Sequence, residues 1–407
     1  MIYPQTIQKE LSFEGERLTR GRHKIHPYPA MLHPLLVDYL IDKYAKKDDI
    51  IFDPFCGSGV SLLQSGLKGY KSIGFDINPL ALLIAKTKTQ KYNKKRLLEE
   101  FNVLKEKLAK NKKTDIPEIK NIDYWYSKDV INDLGKIRYI ITNNNYRYKD
   151  FFITAFAFVC RNQSLTRNGE FKRYRIKEEK IKLAENKVIE KFINHLAEMI
   201  DIFTLNDTPV KSGKALLANS ENRINANIKY NLVITSPPYG DSRTTVAYGE
   251  YSSFGSEWTD DLNAFGNTKY KVDKECLGKV GLLNKEIKNH KILVNIIKKI
   301  EKEDKKRANE VLHFFNGYYN VIRNITKNLE NNGRVCFVVG NRTVKGYQIP
   351  MDQITSSFLE SFGLNFEGMF VRDILNKVMP SKNSPSNKVG VKTKTMANEY
   401  IIIFNKK

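Results

Sequence analysis

The chain has 407 residues, of which 41% are hydrophobic and 28% charged; 68 Lys and Arg against 45 Asp and Glu give a formal net charge of +23 at pH 7. At roughly 100–200 residues per domain this length allows two or three domains, and the hydrophobic fraction excludes a disordered chain. The excess charge points to a polyanionic partner, nucleic acid or an anionic membrane surface, with a Lys-rich solvated surface as the bland alternative.

Residues 26–42 predict a Pro-rich lead-in and an amphipathic helix. DIIFD (49–53) predicts a short strand, PFCGSG a turn and VSLLQSGLK a helix. KSIGFD (71–76) predicts a second strand, and NPLALLIAKTK a second helix. This alternation is the signature of a doubly wound, mostly parallel α/β sheet. The character then changes. Lys86 to Lys120 carries twelve Lys and Arg against five acids, and helices are predicted at 95–111, 128–142, 150–163 and 176–203. A loop with six basic residues, RNQSLTRNGEFKRYRIK, separates the last two. Three regions follow: 1–88, the first half of the sheet domain; 89–213, a mainly helical insertion; and 214–407, the rest of the sheet domain. In the third, KYNLVIT (229–235) predicts a strand and 240–283 an irregular loop too long for an ordinary connection. Helix is predicted over 284–330 and 352–362, strand over 333–341, 364–373 and 398–404, and a basic loop over 374–396.

No run approaches the ~18 consecutive apolar residues of a membrane span, and the first residues lack the apolar segment of a signal peptide. The expectation is a cytoplasmic protein that does not meet a membrane. The four cysteines stand singly, and His23, His26 and His33 lie close together without a carboxylate. Neither a disulfide framework nor a metal site is expected.

D-P-F-C-G-S-G (53–59) closes the first strand and opens a helix, where open α/β sheets bind ligands. Gly57 and Gly59 permit close backbone approach. Leu62 breaks the dinucleotide fingerprint, so a pyrophosphate grip is not expected, and a P-loop is excluded. Asp76, at the end of the second strand, can accept both hydroxyls of a ribose. Together these suit a nucleoside without a pyrophosphate; a tight turn needing glycine only for packing is the alternative. T-S-P-P-Y-G (235–240) ends a third apolar strand. Its prolines remove two backbone donors and leave carbonyls to face a ligand. Ser236 adds a hydroxyl acceptor and Tyr239 a flat face. That combination suits a planar ring with an exocyclic amine, against the alternative of a Pro-rich loop with a packing tyrosine.

FxGxG at 55–59 with SPPY at 236–239 resembles the amino-methyltransferase family of DNA methylases. HKIHPYPAML (23–32), SPPYGDSRTTVAYGEYS and the tail MPSKNSP…NEYIIIF resemble the same group. The resemblance implies a seven-stranded Rossmann-like methyltransferase sheet and S-adenosylmethionine as cofactor. It assigns cofactor binding to His26, Tyr28, Pro29, Asp53, Phe55, Cys56, Gly57, Gly59, Asp76 and Asn219, and the target base to Ser236, Pro237, Pro238 and Tyr239. Asn219 stands where the family's third motif has an aspartate. SPPY is associated mainly with cytosine N4, so methylation of that amine in a flipped base of double-stranded DNA is expected, with adenine N6 as the alternative and RNA behind it. A cognate restriction endonuclease would accompany such an enzyme. No covalent intermediate is expected: Cys56 precedes a glycine of the turn and reads as a small buried residue. Phosphate contacts are expected from Arg161, Arg167, Lys172, Arg173 and Arg175 in the insertion, from Arg243, and from Lys377 and Lys382 in the late loop. The insertion is the expected target-reading region.

Overall fold

The structure is a computed structural model that describes residues 2–205, 210–241, 245–266, 272–374, 382–383, 393–394 and 396–407. Its sheet strands are β1 (Thr6–Ile7), β2 (Ile50–Asp53), β3 (Lys71–Asp76), β4 (Lys214–Leu217), β5 (Tyr230–Thr235), β6 (Leu329–Gly340), β7 (Asn365–Asp373) and β8 (Asn398–Asn405). They lie in the order β1-β7-β8-β6-β5-β2-β3-β4. Only β8 runs antiparallel, between β6 and β7. The expected doubly wound sheet is therefore present, with one strand more than the seven expected. The extra one is the two-residue edge strand β1, too short to register in the hydrophobic pattern.

The central strands are covered on both faces, and neighbouring residues alternate between two cores. Ile51, Leu232, Ile234, Val338 and Ile401 pack on the apolar side of α1 (Pro34–Tyr44). Phe52, Val233, Phe337 and Ile402 face the other way, onto the long helix Lys305–Asn328 and the helix Met351–Ser361. Helix α2 (Val60–Leu67) follows β2, and α3 (Pro79–Thr89) follows β3. The chain leaves β2 toward β3 on one side and later returns to β5 on the other. The switch point of the sheet thus lies between β2 and β5, where such sheets bind ligands.

The insertion forms α4 (Lys94–Lys110), α5 (Lys128–Thr142), α6 (Lys149–Asn162) and α7 (Val188–Leu205). Its interior is continuous with α3: Leu80, Leu83 and Ile84 share one core with Phe151, Phe156, Leu196 and Trp258. The helix expected over 176–203 starts only at Val188, apart from one turn at Glu178–Ile181. The polar stretch before Val188 has no apolar face to bury, and its Leu183 is 80% exposed.

A larger difference concerns 240–283, expected to be irregular. It contains α8 (Tyr248–Thr259), which buries Tyr251, Phe254 and Trp258 against the insertion. Gly255 makes the contact possible: a Cβ there would lie 2.9 Å from Leu80 Cδ2 and 3.2 Å from Ala157 Cβ. Helix propensity is poor for this Gly- and Ser-containing segment, so packing decides its state. The helical stretch 284–330 divides into Lys285–Asn289, Lys291–Glu303 and Lys305–Asn328, the last two capped by His290 and Asp304. No described helix is long and apolar enough to cross a membrane.

Candidate active site

The strand ends at the switch point are tied together through Asp53. Its Oδ1 accepts the Phe55 N–H (3.0 Å) and the Thr235 hydroxyl (2.7 Å), and its Oδ2 accepts the Ser61 hydroxyl. The contact with Thr235 bridges the end of β2 to the end of β5, one residue before SPPY. Burial pushes the Asp53 carboxyl up to about 6 despite these hydrogen bonds.

The glycine turn folds back on β3. Asp76 Oδ2 accepts the Gly57 N–H at 2.9 Å, and Oδ1 accepts the Asn78 N–H at 2.8 Å. Gly57 has φ +48°, and a Cβ there would press on Tyr28 at 3.3 Å. Gly59, at φ +77°, begins α2 where a Cβ would strike Ala85 at 2.7 Å, so its glycine serves packing between α2 and α3. Cys56 is buried beside Gly74, where a Cβ would approach the Cys56 side chain at 2.6 Å. It is the small buried residue that was expected.

These groups wall one open cleft of about 990 Å³, its mouth included. Tyr28, Pro29, Asp53, Phe55, Cys56, Gly57, Asp76 and Asn219 line it, and so do Ser236 and Pro238. The HPYP segment is held in place from two sides. Asn78, the N-cap of α3, donates to the Tyr28 hydroxyl (3.1 Å) and to Ser252 of α8 (2.7 Å). Tyr251 of α8 donates to the Pro27 carbonyl at 3.2 Å, and the Tyr28 and Tyr248 rings stack with centroids 6.0 Å apart.

Some expected residues lie elsewhere. His26 is buried behind the cleft, with Nδ1 against the Pro27 carbonyl at 2.7 Å, and burial keeps the ring neutral by pushing its pKa down to about 3. Gly59 and Pro237 also stand back from the cleft wall. Tyr239 is half-buried beside the wall. Its hydroxyl lies 3.1 Å from Ser236 Oγ and donates to Glu399 Oε1 at 3.0 Å. Glu399 in turn accepts from Arg372 (2.9 and 2.5 Å). Glu399 and Arg372 were not foreseen. Opposite charges inside two apolar strands are a signal, but only the pairing register makes them neighbours. Tyr248, Cys276 and Leu277 on the cleft wall also went unforeseen, because they come from the segment expected to be irregular.

Two of the expected phosphate contacts need correction. Arg161 is only 5% exposed; it donates to the carbonyls of Tyr251 (2.9 Å) and Glu170 (2.7 Å) and stacks on the Tyr251 ring. Arg173 pairs with Glu257 at 2.7 Å, bonds Ser253 and lies over Phe254. Both pin α8 to the insertion, because a buried guanidinium must find acceptors within the protein. Arg175 lies over Tyr124 and reaches Glu178 at 3.4 Å. Arg167 is exposed and Lys172 half-buried. Arg243 and Lys377 lie outside the described residues, as does the side chain of Lys382.

The donor set fits S-adenosylmethionine. Asp53 and Asp76 both face the cleft, and among the described residues no Lys, Arg or His pairs with either. Glu275, which pairs with Lys279 at 3.3 Å, is a third carboxylate on the wall, and among the described residues no Lys, Arg or His lines the cleft; such a site suits a ligand that brings positive charge. Asp76 keeps lone pairs on both oxygens for a ribose, and Tyr28, Phe55, Ile77 and Leu277 supply apolar wall for a base.

A doubly wound sheet with this turn and an SPPY loop on one cleft defines an S-adenosylmethionine-dependent methyltransferase of the amino type. The sequence model of the DNA methylase family matches residues 7–87 and 230–407. Type II methyltransferase M.MvaI of Kocuria varians is 34% identical over 97% of this chain and 93% of its own length. Type II methyltransferase M.MjaII of Methanocaldococcus jannaschii is 46% identical over 24% of this chain and 19% of its own. A solved S-adenosylmethionine-dependent methyltransferase from Methanosarcina mazei aligns over 94% of this chain and 98% of its own, at 9% identity and a TM-score of 0.33. The chain belongs to the DNA methylase family, and S-adenosylmethionine is its methyl donor.

Proposed function

We propose that the chain is a type II, site-specific methyltransferase that methylates N4 of a cytosine turned out of duplex DNA. The observation that carries this reading is the shared cleft: Ser236 and Pro238 stand on the same wall system as Asp53 and Asp76. A base presented to SPPY therefore meets a cofactor held by the glycine turn. Two of the relatives that match are named type II methyltransferases, which supports that class; a cognate endonuclease and a cytoplasmic setting belong to the same proposal.

S-adenosylmethionine supplies a methyl group activated on a sulfonium. The chain's own residues do the rest. Asp76 would hold the ribose, Asn219 would flank the adenine, and the Gly57 turn gives room for close approach. An exocyclic amine is a weak nucleophile because its lone pair is delocalised into the ring. Ser236 Oγ and the Pro237 carbonyl would accept its N–H groups and localise that lone pair. Tyr239 would give its face to the base. Holding both reactants in one cleft replaces a bimolecular encounter with a local one.

We assign catalysis to 1–88 and 214–407 and target reading to 89–213. The family model stops at residue 87 and resumes at 230, which supports placing the helical layer outside the family's common catalytic core, although the likeness to M.MvaI runs across it. Arg167 and Lys172 remain its candidates for phosphate contact, with Arg243, Lys377 and Lys382. Serine at position 236 and the SPPY resemblance favour cytosine, while adenine N6 is the second reading. Incubation with labelled S-adenosylmethionine and mixed duplex DNA, followed by digestion and mass identification of the nucleoside, decides between them. N4-methylcytosine is the expected product. N6-methyladenine would replace the base assignment, and label found only in RNA or protein would overturn the reading.

A further inference from the structure

We infer that Glu399 is a positioning residue that sets the direction of the Ser236 hydroxyl, so that Ser236 presents lone pairs rather than a proton to the target amine. This deepens the proposed amine-methylating role and rests on it. The sheet register lines up three residues: Glu399 pairs with Arg372 of β7 on one side and with Gly340 of β6 on the other. Gly340 leaves space for the Met396 side chain and for the Tyr239 ring, since a Cβ there would collide with Met396 and lie 3.0 Å from Tyr239 Cδ2. The ring therefore rests over the end of β6 and reaches Glu399 with its hydroxyl.

Counting donors then fixes every proton in the chain. Arg372 can only donate: its Nε and Nη2 go to Glu399 Oε2, and its Nη1 goes to the Leu11 carbonyl at 3.1 Å. The ionised carboxylate can only accept, so at Oε1 it takes the single proton of Tyr239. The 3.1 Å contact between Tyr239 and Ser236 must then be made by the serine proton. Ser236 Oγ, on the cleft wall, is left with its lone pairs for the cleft. A lone serine hydroxyl rotates freely and would as readily donate to an amine as accept from it. The Arg372–Glu399–Tyr239 chain removes that choice, whether the amine belongs to cytosine or adenine.

Glu399→Gln tests this with almost no change of shape. Arg372 forces the glutamine oxygen toward itself, which turns the amide N–H toward Tyr239. The tyrosine proton then points at Ser236, and the serine proton is driven into the cleft. The expected result is a fall of about 10- to 100-fold in single-turnover rate on DNA, with S-adenosylmethionine affinity unchanged; the melting temperature falls because Arg372 loses its carboxylate, and falls as far in the double variant, so stability does not track the rate. Tyr239→Phe removes the hydroxyl that transmits the reversal. The double variant Tyr239→Phe/Glu399→Gln should therefore run at the rate of Tyr239→Phe alone, faster than Glu399→Gln. A purely structural pair would give additive losses instead. A wild-type rate in Glu399→Gln, a double variant slower than either single one, or a loss of rate matched by a loss of cofactor binding would each overturn the inference. Failure of the functional reading is separate: it would appear as absence of methylated DNA with the unaltered protein.

Discussion

The cleft at the sheet edge and the helical layer beside it treat charge in opposite ways. In the cleft, Asp53 and Asp76 carry hydrogen bonds from the backbone and from hydroxyls but no cationic partner among the described residues. In the helical layer, arginines are consumed internally. Arg138 reaches Asp115 (3.1 Å) and Asp261 (2.5 Å), Arg161 holds two carbonyls, and Arg173 holds Glu257. A charge whose partner is missing marks where a ligand belongs, and a charge with partners in the protein marks architecture. The net charge of +23 cannot tell the two apart.

The sharpest way to break the contrast is to remove one carboxylate from the cleft. Asp76→Ala frees the Gly57 and Asn78 N–H groups and deletes the ribose acceptor. Each lost charge-assisted hydrogen bond is worth about 1.5–3 kcal/mol, so cofactor affinity should fall by about 100-fold or more. Isothermal titration with S-adenosylmethionine measures this. Unchanged affinity in a folded variant would remove Asp76 from the site.

The arginines provide the next test. Arg161→Ala leaves the Tyr251 and Glu170 carbonyls without their donor and unpins α8, so stability should fall by about 2–4 kcal/mol. Arg167→Ala should leave the melting temperature in place. It should instead weaken binding to all DNA sequences alike and lower the salt slope of log K by about 1. Thermal melts with DNA titrations at several salt concentrations separate the two. The contrast fails if Arg167→Ala melts early or Arg161→Ala melts normally.

The cleft carboxylates also set a pH dependence. Burial raises the Asp53 carboxyl to about 6 and moves Asp76 in the same direction. A folded-state pKa above the unfolded value means that the folded chain holds its proton longer. The stability these groups contribute is full below about pH 4 and is lost as pH rises through about 6. A cationic ligand favours the ionised forms, so binding should release protons near pH 6 and weaken below it. Titration in buffers of different ionisation heat counts those protons. A proton count of zero at pH 6 would contradict the placement of positive charge against these groups.

How much of this was legible in the sequence follows from the same contrast. The strands β2, β3, β5, β6 and β8 announce themselves as apolar runs, because both faces of a doubly wound sheet are buried. The glycine turn and SPPY are local in sequence, so Gly57, Asp76 and Ser236 could be named from their motifs and Asp53 from the family resemblance those motifs carry, and all four stand on the cleft wall. What stayed hidden depends on pairing at a distance. Glu399 meets Arg372 only through strand register, and α8 is a helix only because the insertion covers it. Arg161 and Arg173 look like their neighbour Arg167 in sequence. They differ only in having carbonyls and a carboxylate folded against them.

Lys88 offers the finest comparison, being a cation buried next to the cleft rather than in the helical layer. It has no exposed surface, and its ammonium donates to the Ser58 hydroxyl at 3.2 Å, behind the glycine turn. Burial pushes its pKa down to about 7. The folded state thus favours the neutral amine, and the associated stability is full only above the free lysine value of 10.5 and is lost progressively as pH falls through about 7. Lys88→Met keeps the length of the side chain and removes the group that must charge. At pH 10.5, where the unfolded lysine is also half neutral, its melting temperature should differ from the parent's by no more than a few degrees, since a methionine stem fills the same space. At pH 5.5 the variant should melt higher than the parent, because only the parent then buries a charged ammonium without a carboxylate to meet it. Melting curves across that range suffice. If the parent gains on the variant as the pH drops, Lys88 is charged and satisfied where it lies, and the cation behind the turn belongs with the arginines of the helical layer.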